Sequence, residues 1–137
     1  MRSAFQRLAE HLSPATTSPR TSPASTSQTQ DFDRAIEFYG GTLGLPELKR
    51  YGSMPGIEFQ AGNLTVAVIE IEKLGQPFTV RKSAIMLQVG DVPAAREELE
   101  GNGVDFHCDI IDSGACHQAF FSDPDGFTMG LHHRYAT

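Results

Sequence analysis

Apolar residues recur at the three- and four-residue spacing of a helix from Asp31 onward. The residues on one side of such a helix are Phe32, Ala35, Ile36 and Tyr39. Asp31 stands directly before them, where an aspartate side chain commonly caps a helix N-terminus. The pattern therefore predicts a helix that starts at Asp31 and ends at the glycines that follow.

Strand-like segments follow this helix. Alternation is clearest where Leu64, Val66 and Val68 share one side of an otherwise small or polar segment. The predicted elements are strands at 45–50, 56–60 and 63–72, and a linker at 73–80.

The same order of elements is predicted a second time, after residue 82. Asp91 precedes a helical pattern through Val92, Ala95 and Leu99, which ends at the glycines that follow. A tight turn with the sequence Asp-Pro-Asp-Gly occupies residues 123–126. The predicted strands lie at 83–89, 104–111, 115–121 and 127–133.

The two halves match as an internal repeat. Residues 31–35 correspond to 91–95, and residues 64–68 correspond to 127–131, at a period of about 60 residues. Two copies of one unit, a strand, a helix and three strands, are therefore predicted. The first strand of the first copy would have to come from the Ser- and Thr-rich residues before Asp31, which do not have the pattern of a core strand.

The first 30 residues differ in composition from the rest. Residues 1–12 place Phe5, Leu8 and Leu12 at helical spacing, whereas residues 13–30 are nearly all Ser, Thr, Pro, Ala and Gln. Such a composition favours a flexible tail, and an arginine-containing targeting peptide is the alternative. The composition predicts a flexible segment at 1–30 and a domain at 31–137, with repeat units at about 31–72 and 83–134.

Charge and cysteine content narrow the function. The chain has 137 residues, 11 Lys and Arg against 17 Asp and Glu, and a net charge of −6. No basic cluster exceeds a pair, which argues against a nucleic-acid partner, and no apolar run has the ~20 residues of a membrane span. Cys108 and Cys116 are predicted to be free thiols in a reducing compartment, the cytoplasm, and a disulfide that closes the short loop between them is the less favoured alternative.

Four motifs occur in a characteristic order. They are Asp-Phe-Asp-Arg-Ala-Ile-Glu-Phe-Tyr at 31–39, Leu-Gly-Leu-Pro at 43–46, Val-Gly-Asp-Val-Pro-Ala-Ala at 89–95 and Phe-Ser-Asp-Pro-Asp-Gly at 121–126. With this spacing the chain resembles the vicinal oxygen chelate superfamily, which includes glyoxalase, extradiol dioxygenases and bleomycin-resistance proteins. The resemblance implies an α+β fold of two βαβββ modules that form an open cup-shaped barrel, the first strand of module one being atypical or missing.

The resemblance also implies where a metal would bind. Metal-dependent relatives carry His or Glu at positions that correspond to Ala84, Gly130 and Ala67 here, and a fourth ligand on the first strand. Alanine and glycine side chains have no donor atoms. We therefore expect no family metal site and no cofactor in this chain.

Alternation along the predicted strands gives a candidate ligand site. If Gly130 faces the cup, Thr128 and His132, two residues away on either side, face it too. The resemblance implies which residues of the other strands face the cup. Glu58 is included although the register of its strand is less well defined by the sequence. The predicted ligand-binding residues are Glu58, Met86, Gln88, Cys116, Gln118, Phe120, Thr128 and His132.

Two of these residues carry reactive groups. Cys116 and His132 are predicted to approach one another inside the cup. They are consistent with a relocated zinc or copper site or with a Cys–His nucleophilic pair. The simpler interpretation, which we favour, is an inert buried thiol near a pocket histidine.

Two functional hypotheses follow. The first is a bleomycin-resistance-like protein that binds a small organic molecule without a metal, as a homodimer. The alternative is an enzyme, either a metal-dependent lyase or dioxygenase with relocated ligands or a metal-free isomerase or lyase. In the metal-free case, His132 would act as general acid or base together with Glu58 or Cys116.

Overall fold

The computed structural model describes residues 8, 11–12, 24–80 and 83–136. The first half comprises β1 (Ala24–Gln28), α1 (Phe32–Ile36), a π-helical turn (Glu37–Thr42), β2 (Glu47–Arg50), β3 (Gly56–Ala61), β4 (Leu64–Ile69) and a 3₁₀ turn (Ile71–Leu74). The second half comprises β5 (Ile85–Gln88), α2 (Val92–Gly101), β6 (Ile111–Asp112), β7 (Cys116–Ser122) and β8 (Thr128–Arg134).

Each half forms one four-stranded mixed sheet, and the two sheets have the same topology. The strand orders are β1-β4-β3-β2 and β5-β8-β7-β6. The first strand of each half is parallel to the last, and the remaining pairs are antiparallel. The predicted α+β fold of two βαβββ modules is confirmed. Neither sheet closes into a barrel within the described residues, so the cupped faces are open.

Matching aspartates start the two helices, as the sequence predicts. Asp31 Oδ1 accepts a hydrogen bond from the Arg34 amide at 3.1 Å. Asp91 Oδ1 accepts one from the Ala94 amide at 3.0 Å. Each carboxylate satisfies an amide that has no partner within its helix, which fixes where the helix begins.

The first helix continues into a π-helical turn instead of ending at its first glycines. The Leu43 amide donates to the Phe38 carbonyl at 2.8 Å, five residues back. Gly44 then has a φ of 69°, a conformation that favours glycine, and the helical path ends there.

The first strand is built from polar residues. Ala24–Gln28 pairs along its length with β4, and Ser27 is fully buried on the side that faces the core. β1 therefore joins the first sheet ahead of the predicted boundary at residue 31, where the internal repeat requires a strand. Composition misses the strand because its pairing comes from backbone groups, which a hydropathy pattern does not detect.

The core also includes a residue from the predicted tail. Leu8 is fully buried, and its amide donates to the Leu43 carbonyl at 2.8 Å. Leu12 forms an antiparallel bridge with Val89 beside β5. Phe5 and residues 13–23 lie outside the described residues, so flexibility of that segment remains a prediction.

The strand predicted at 104–111 is largely wrong. Phe106 forms one isolated bridge with Phe121, and regular pairing is confined to Ile111–Asp112. Between these, His107, Cys108 and Asp109 are exposed, and only Ile110 packs against the core, so this stretch has no continuous apolar face to place against the sheet. Arg96 holds this segment by donating to the Cys108 carbonyl at 2.7 Å.

Both sheets pack against the first helix and its π-helical turn. Tyr39 stacks on Phe59 of the first sheet at 5.8 Å, and Phe38 contacts Phe121 of the second sheet at 6.5 Å between ring centroids. Because side chains alternate across a strand, the other face of each sheet points away from this shared core. Each sheet therefore has one face on the shared core and one open face.

No helix among the described residues is long and apolar enough to cross a membrane.

Candidate functional site

The open face of the second sheet collects most of the predicted ligand residues. Strand register places Gly130 of β8 between Met86 and Phe120, and His132 between Gln88 and Gln118. The predicted residues on this face are Met86, Gln88, Cys116, Gln118, Phe120, Thr128 and His132. Glu58 lies on β3, on the open face of the first sheet, and not on the sheet that carries this set.

An apolar floor surrounds Gly130. A Cβ atom built on this glycine would lie 2.6 Å from Met86 Sδ and 3.1 Å from Phe120 Cδ1. The space beside the glycine backbone is therefore filled by a thioether and an aromatic ring. Met86 is still 36% exposed, so this floor faces outward.

A polar pair borders this floor. His132 Nδ1 lies 2.8 Å from Gln88 Oε1, a hydrogen-bond distance across neighbouring strands. Gln118 is paired with His132 on its other side. An amide oxygen only accepts, so the imidazole donates from Nδ1, and in a neutral imidazole this leaves Nε2 as an acceptor.

Cys116 and His132 have separate partners. Cys116 is paired with Arg134 rather than with His132, and its Sγ lies 3.2 Å from Ser113 Oγ. The structure gives no hydrogen bond between the thiol and the imidazole among the described residues. It therefore offers no geometric support for a Cys–His nucleophilic pair. Neither Cys116 nor Cys108 is in a disulfide.

Glu58 has a tyrosine partner on the first sheet. The Tyr51 hydroxyl donates to Glu58 Oε2, while the Tyr51 ring covers Gly56. Burial, followed by the hydrogen bond and charge of Glu58, raises the pKa of Tyr51 to about 12. Both causes favour the protonated phenol, so Tyr51 remains a hydrogen-bond donor at neutral pH.

The internal repeat identifies the fourth position of the family metal site. Ala84 stands seven residues before the capping Asp91, and Ala24, on β1, stands seven before Asp31. Thr26 is paired with Ala67 as Met86 is paired with Gly130. The four positions of this chain that correspond to the family's metal ligands are therefore Ala24, Ala67, Ala84 and Gly130.

These residues do not fit a bound metal. None of the four side chains has a donor atom, and Met86 lies over the place where a side chain at position 130 would begin. Within 24–80, 83–136 and the described N-terminal residues, no group of three or more His, Cys, Asp or Glu has metal-binding geometry. We derive no chemistry that depends on a metal.

The predicted turn at 123–126 also connects the two halves. Asp123 Oδ1 accepts from the amides of Asp125 and Phe127 at 3.0 and 2.9 Å, as expected for a turn former. Its Oδ2 accepts from the buried Tyr39 hydroxyl at 2.7 Å. Asp125 forms an ion pair with Arg34 at 2.9 Å. The sequence predicts the turn but not these contacts with the first helix.

The sequence also matches a family model. The model described as Glyoxalase/Bleomycin resistance protein/Dioxygenase superfamily matches residues 6–131. The chain therefore belongs to this superfamily, and the resemblance stated from its motifs is confirmed. No functionally curated protein matches the chain.

Solved structures share the fold at low sequence identity. A superfamily member from Sphaerobacter thermophilus is 23% identical with a TM-score of 0.69, over 81% of this chain and 94% of that one. TnmS3, an antibiotic binding protein from a Streptomyces species, is 22% identical with a TM-score of 0.69, over 86% and 98%. A lactoylglutathione lyase from Agrobacterium tumefaciens is 13% identical with a TM-score of 0.68, over 85% and 95%. At these identities the likeness shows the fold alone.

Proposed function

We propose that this chain binds a small organic molecule on the open face of the second sheet, without a metal ion. The observation that carries the proposal is the apolar floor of Met86 and Phe120 beside the His132–Gln88 pair. Ligand sites are lined mainly by apolar groups, with a few polar groups that fix orientation. The antibiotic binding stated for TnmS3, which has the same fold, supports a role of this kind.

The His132–Gln88 pair indicates which polar group the ligand carries. With Gln88 Oε1 holding the Nδ1 hydrogen of His132, Nε2 accepts a hydrogen bond from a ligand hydroxyl or N–H. A flat apolar body would lie on Met86 and Phe120. The expected ligand is therefore an aromatic or polycyclic molecule with a hydrogen-bond donor at one edge.

A second copy of the chain would complete the cup. Glu58 and His132 lie on the open faces of two different sheets, and neither sheet closes into a barrel within the described residues. Apolar Met86 and Ile111 are 36% and 43% exposed on the second sheet. We infer a homodimer in which the first sheet of one copy covers the second sheet of the other. Light scattering should then give twice the 14.9 kDa chain mass.

The thiols favour a reducing compartment. Cys108 is exposed and unpaired, a state that persists where thiols are kept reduced. We therefore propose that the protein acts in the cytoplasm, as its cysteine content predicts.

Metal analysis and ligand-induced stabilisation test the proposed function. The purified chain should contain no stoichiometric divalent metal. A stoichiometric metal ion would contradict the proposal and favour a lyase or dioxygenase with relocated ligands. A screen of aromatic compounds should find one that raises Tm, since a ligand present at 100 times its Kd stabilises the folded state by about 2.7 kcal/mol.

Paired probes locate the site. 2-Naphthol should bind more tightly than 2-methoxynaphthalene, which has the same rings but no donor. H132A should remove this difference, whereas Q76A, an exposed glutamine in the linker, should preserve it. Equal binding of both probes to the wild-type protein would show that the imidazole does not act as an acceptor.

A further inference from the structure

A second concave surface lies at the end of β7, where the lining residue Ser122 is paired with Thr128 at the edge of the proposed ligand face. It is a cleft of about 380 Å³ between the 123–126 turn, the loop after α2 and the first helix. Its walls include Phe38, Val104, Asp105, His107, Ser122 and Asp123. None of the eight predicted ligand residues lines it.

One wall of the cleft is apolar and firmly supported. The Phe38 ring packs edge-on against Tyr39 at 5.3 Å and lies 6.5 Å from Phe121. Val104 and Pro124 extend this surface. The wall therefore offers a fixed aromatic ring and aliphatic groups to a small ligand.

The charges on the cleft have one sign. Asp105 is exposed, Asp123 is only 5% exposed, and no Lys or Arg is among the lining residues. The Asp123 carboxylate accepts three hydrogen bonds but forms no ion pair within the described part of the chain. Burial raises the pKa of Asp123, because its hydrogen bonds do not fully replace the lost hydration. A positive charge in the cleft would favour the ionised carboxylate.

The remaining polar group is a hydrogen-bonded pair. His107 Nε2 lies 2.8 Å from Ser122 Oγ, and both residues line the cleft. When the hydroxyl donates to the neutral imidazole, its oxygen retains lone pairs that accept hydrogen bonds. The pair thus adds an acceptor next to the two carboxylates.

We propose that this cleft binds a small organic cation, an ammonium group attached to an aromatic or aliphatic body. Asp105 and Asp123 supply the negative field, Ser122 accepts from the ammonium, and Phe38 contacts the apolar body. Its volume lies at the lower end of the range for ligand pockets, so the ligand is small. This site does not depend on the function proposed for the open face.

Benzylamine is a suitable probe, with benzoate and benzyl alcohol as controls of equal size. Amide chemical shifts of the full-length protein would be followed by NMR at a pH of about 8, where an ordinary imidazole is neutral. Benzylamine should shift the amides of Val104, Asp105 and Ser122 in a saturable manner. Benzoate should not shift them, and benzyl alcohol should bind more weakly than the amine.

Two exposed aspartates provide matched variants. D105N should weaken benzylamine binding by about fivefold, as expected for an ion pair that is partly exposed to water. D109N removes the same charge from the same loop, outside the cleft, and should leave binding within about twofold. Equal losses in the two variants, shifts that map to another surface, or benzoate binding as tight as benzylamine would overturn the proposal.

Discussion

Met86 lies directly over Gly130, with its Sδ atom 2.6 Å from where a Cβ atom on the glycine would be. The two residues are paired across β5 and β8, so the contact is set by strand register. G130A should therefore force the flexible Met86 side chain to move. We expect the substitution to lower the free energy of unfolding by about 1 kcal/mol, the lower end for overpacking.

A double-mutant cycle isolates this contact. In the M86A background the contact with Met86 is absent and only Phe120 Cδ1, at 3.1 Å, remains close, so G130A should cost less there than in the wild-type protein. Coupling of about 0.5–1 kcal/mol is expected for residues in direct contact, measured by urea unfolding. Equal costs in the two backgrounds would mean that Met86 does not occupy this space.

The buried hydrogen bond between Tyr39 and Asp123 should stabilise the join between the two halves. Y39F removes a donor from a carboxylate that is 5% exposed, so we expect a loss of about 1.5–3 kcal/mol in unfolding free energy. Y135F is the matched control, because its hydroxyl donates to the exposed Asp112 at 2.5 Å. The control should leave stability nearly unchanged, because both groups are exposed to water.

The same carboxylate should make stability depend on pH. Burial raises the pKa of Asp123 in the folded state above the unfolded value of 3.8. The folded state therefore binds the proton more tightly. The stability that this tighter proton binding adds is complete below about pH 3.8, and it is lost as the pH rises through the raised pKa of Asp123.

D123N provides the reference for this measurement, since it removes the titration and retains a side-chain acceptor for the turn. The stability of the wild-type protein relative to D123N should fall as the pH is raised from about 4, and should then level off. In Y39F the fall should move to higher pH, because the Tyr39 hydrogen bond lowers the Asp123 pKa. A constant difference across the pH range would show that Asp123 has an ordinary pKa.

The sequence predicts those elements whose signals are local. Asp31 and Asp91 identify the helix starts, and the alternation around Val66 identifies β4. The repeat requires a strand before Asp31, but hydropathy does not identify β1, because Ser27 is a polar residue at a buried position of a strand. It does not predict the role of Leu8 either, since a single apolar residue in a polar segment gives no periodicity.

Side-chain alternation also explains what the sequence predicts of the site. It predicts that Gln118 and Phe120 share one face of the sheet, and that Thr128 and His132 do so too, because residues at an even spacing along a strand point to the same side. It does not show how the open face that carries Glu58 is placed relative to the open face that carries His132. That depends on how Phe38 and Phe121 pack between the halves, and such tertiary contacts leave no pattern along the sequence.

Tyr51 and Glu58 should titrate as a pair. The folded-state pKa of Tyr51 is about 12, raised by burial first and by Glu58 second. E58Q should therefore lower the Tyr51 pKa part of the way to 10, since burial remains. Tyrosine carbon shifts measured by NMR during an alkaline titration would report this change. D112N is the control, because it should affect the pKa of Tyr135 and not that of Tyr51.

The sign of the linked stability follows from the raised pKa. The folded state holds the Tyr51 proton more tightly, so this contribution is complete below about pH 10 and is lost as the pH rises through about 12. E58Q should move that loss to lower pH. An unchanged Tyr51 titration in E58Q would exclude the hydrogen bond as a cause.

Leu8 should be an essential part of the core although its neighbours in sequence have tail-like composition. Its side chain is fully buried, and its amide donates to the Leu43 carbonyl. L8A should lower the free energy of unfolding by about 2–5 kcal/mol, the range for truncating a buried leucine. L12A, at a half-buried position, should cost less. Chemical denaturation of both variants would measure the difference, and an L8A protein as stable as the wild type would mean that the N-terminal segment does not pack on the domain.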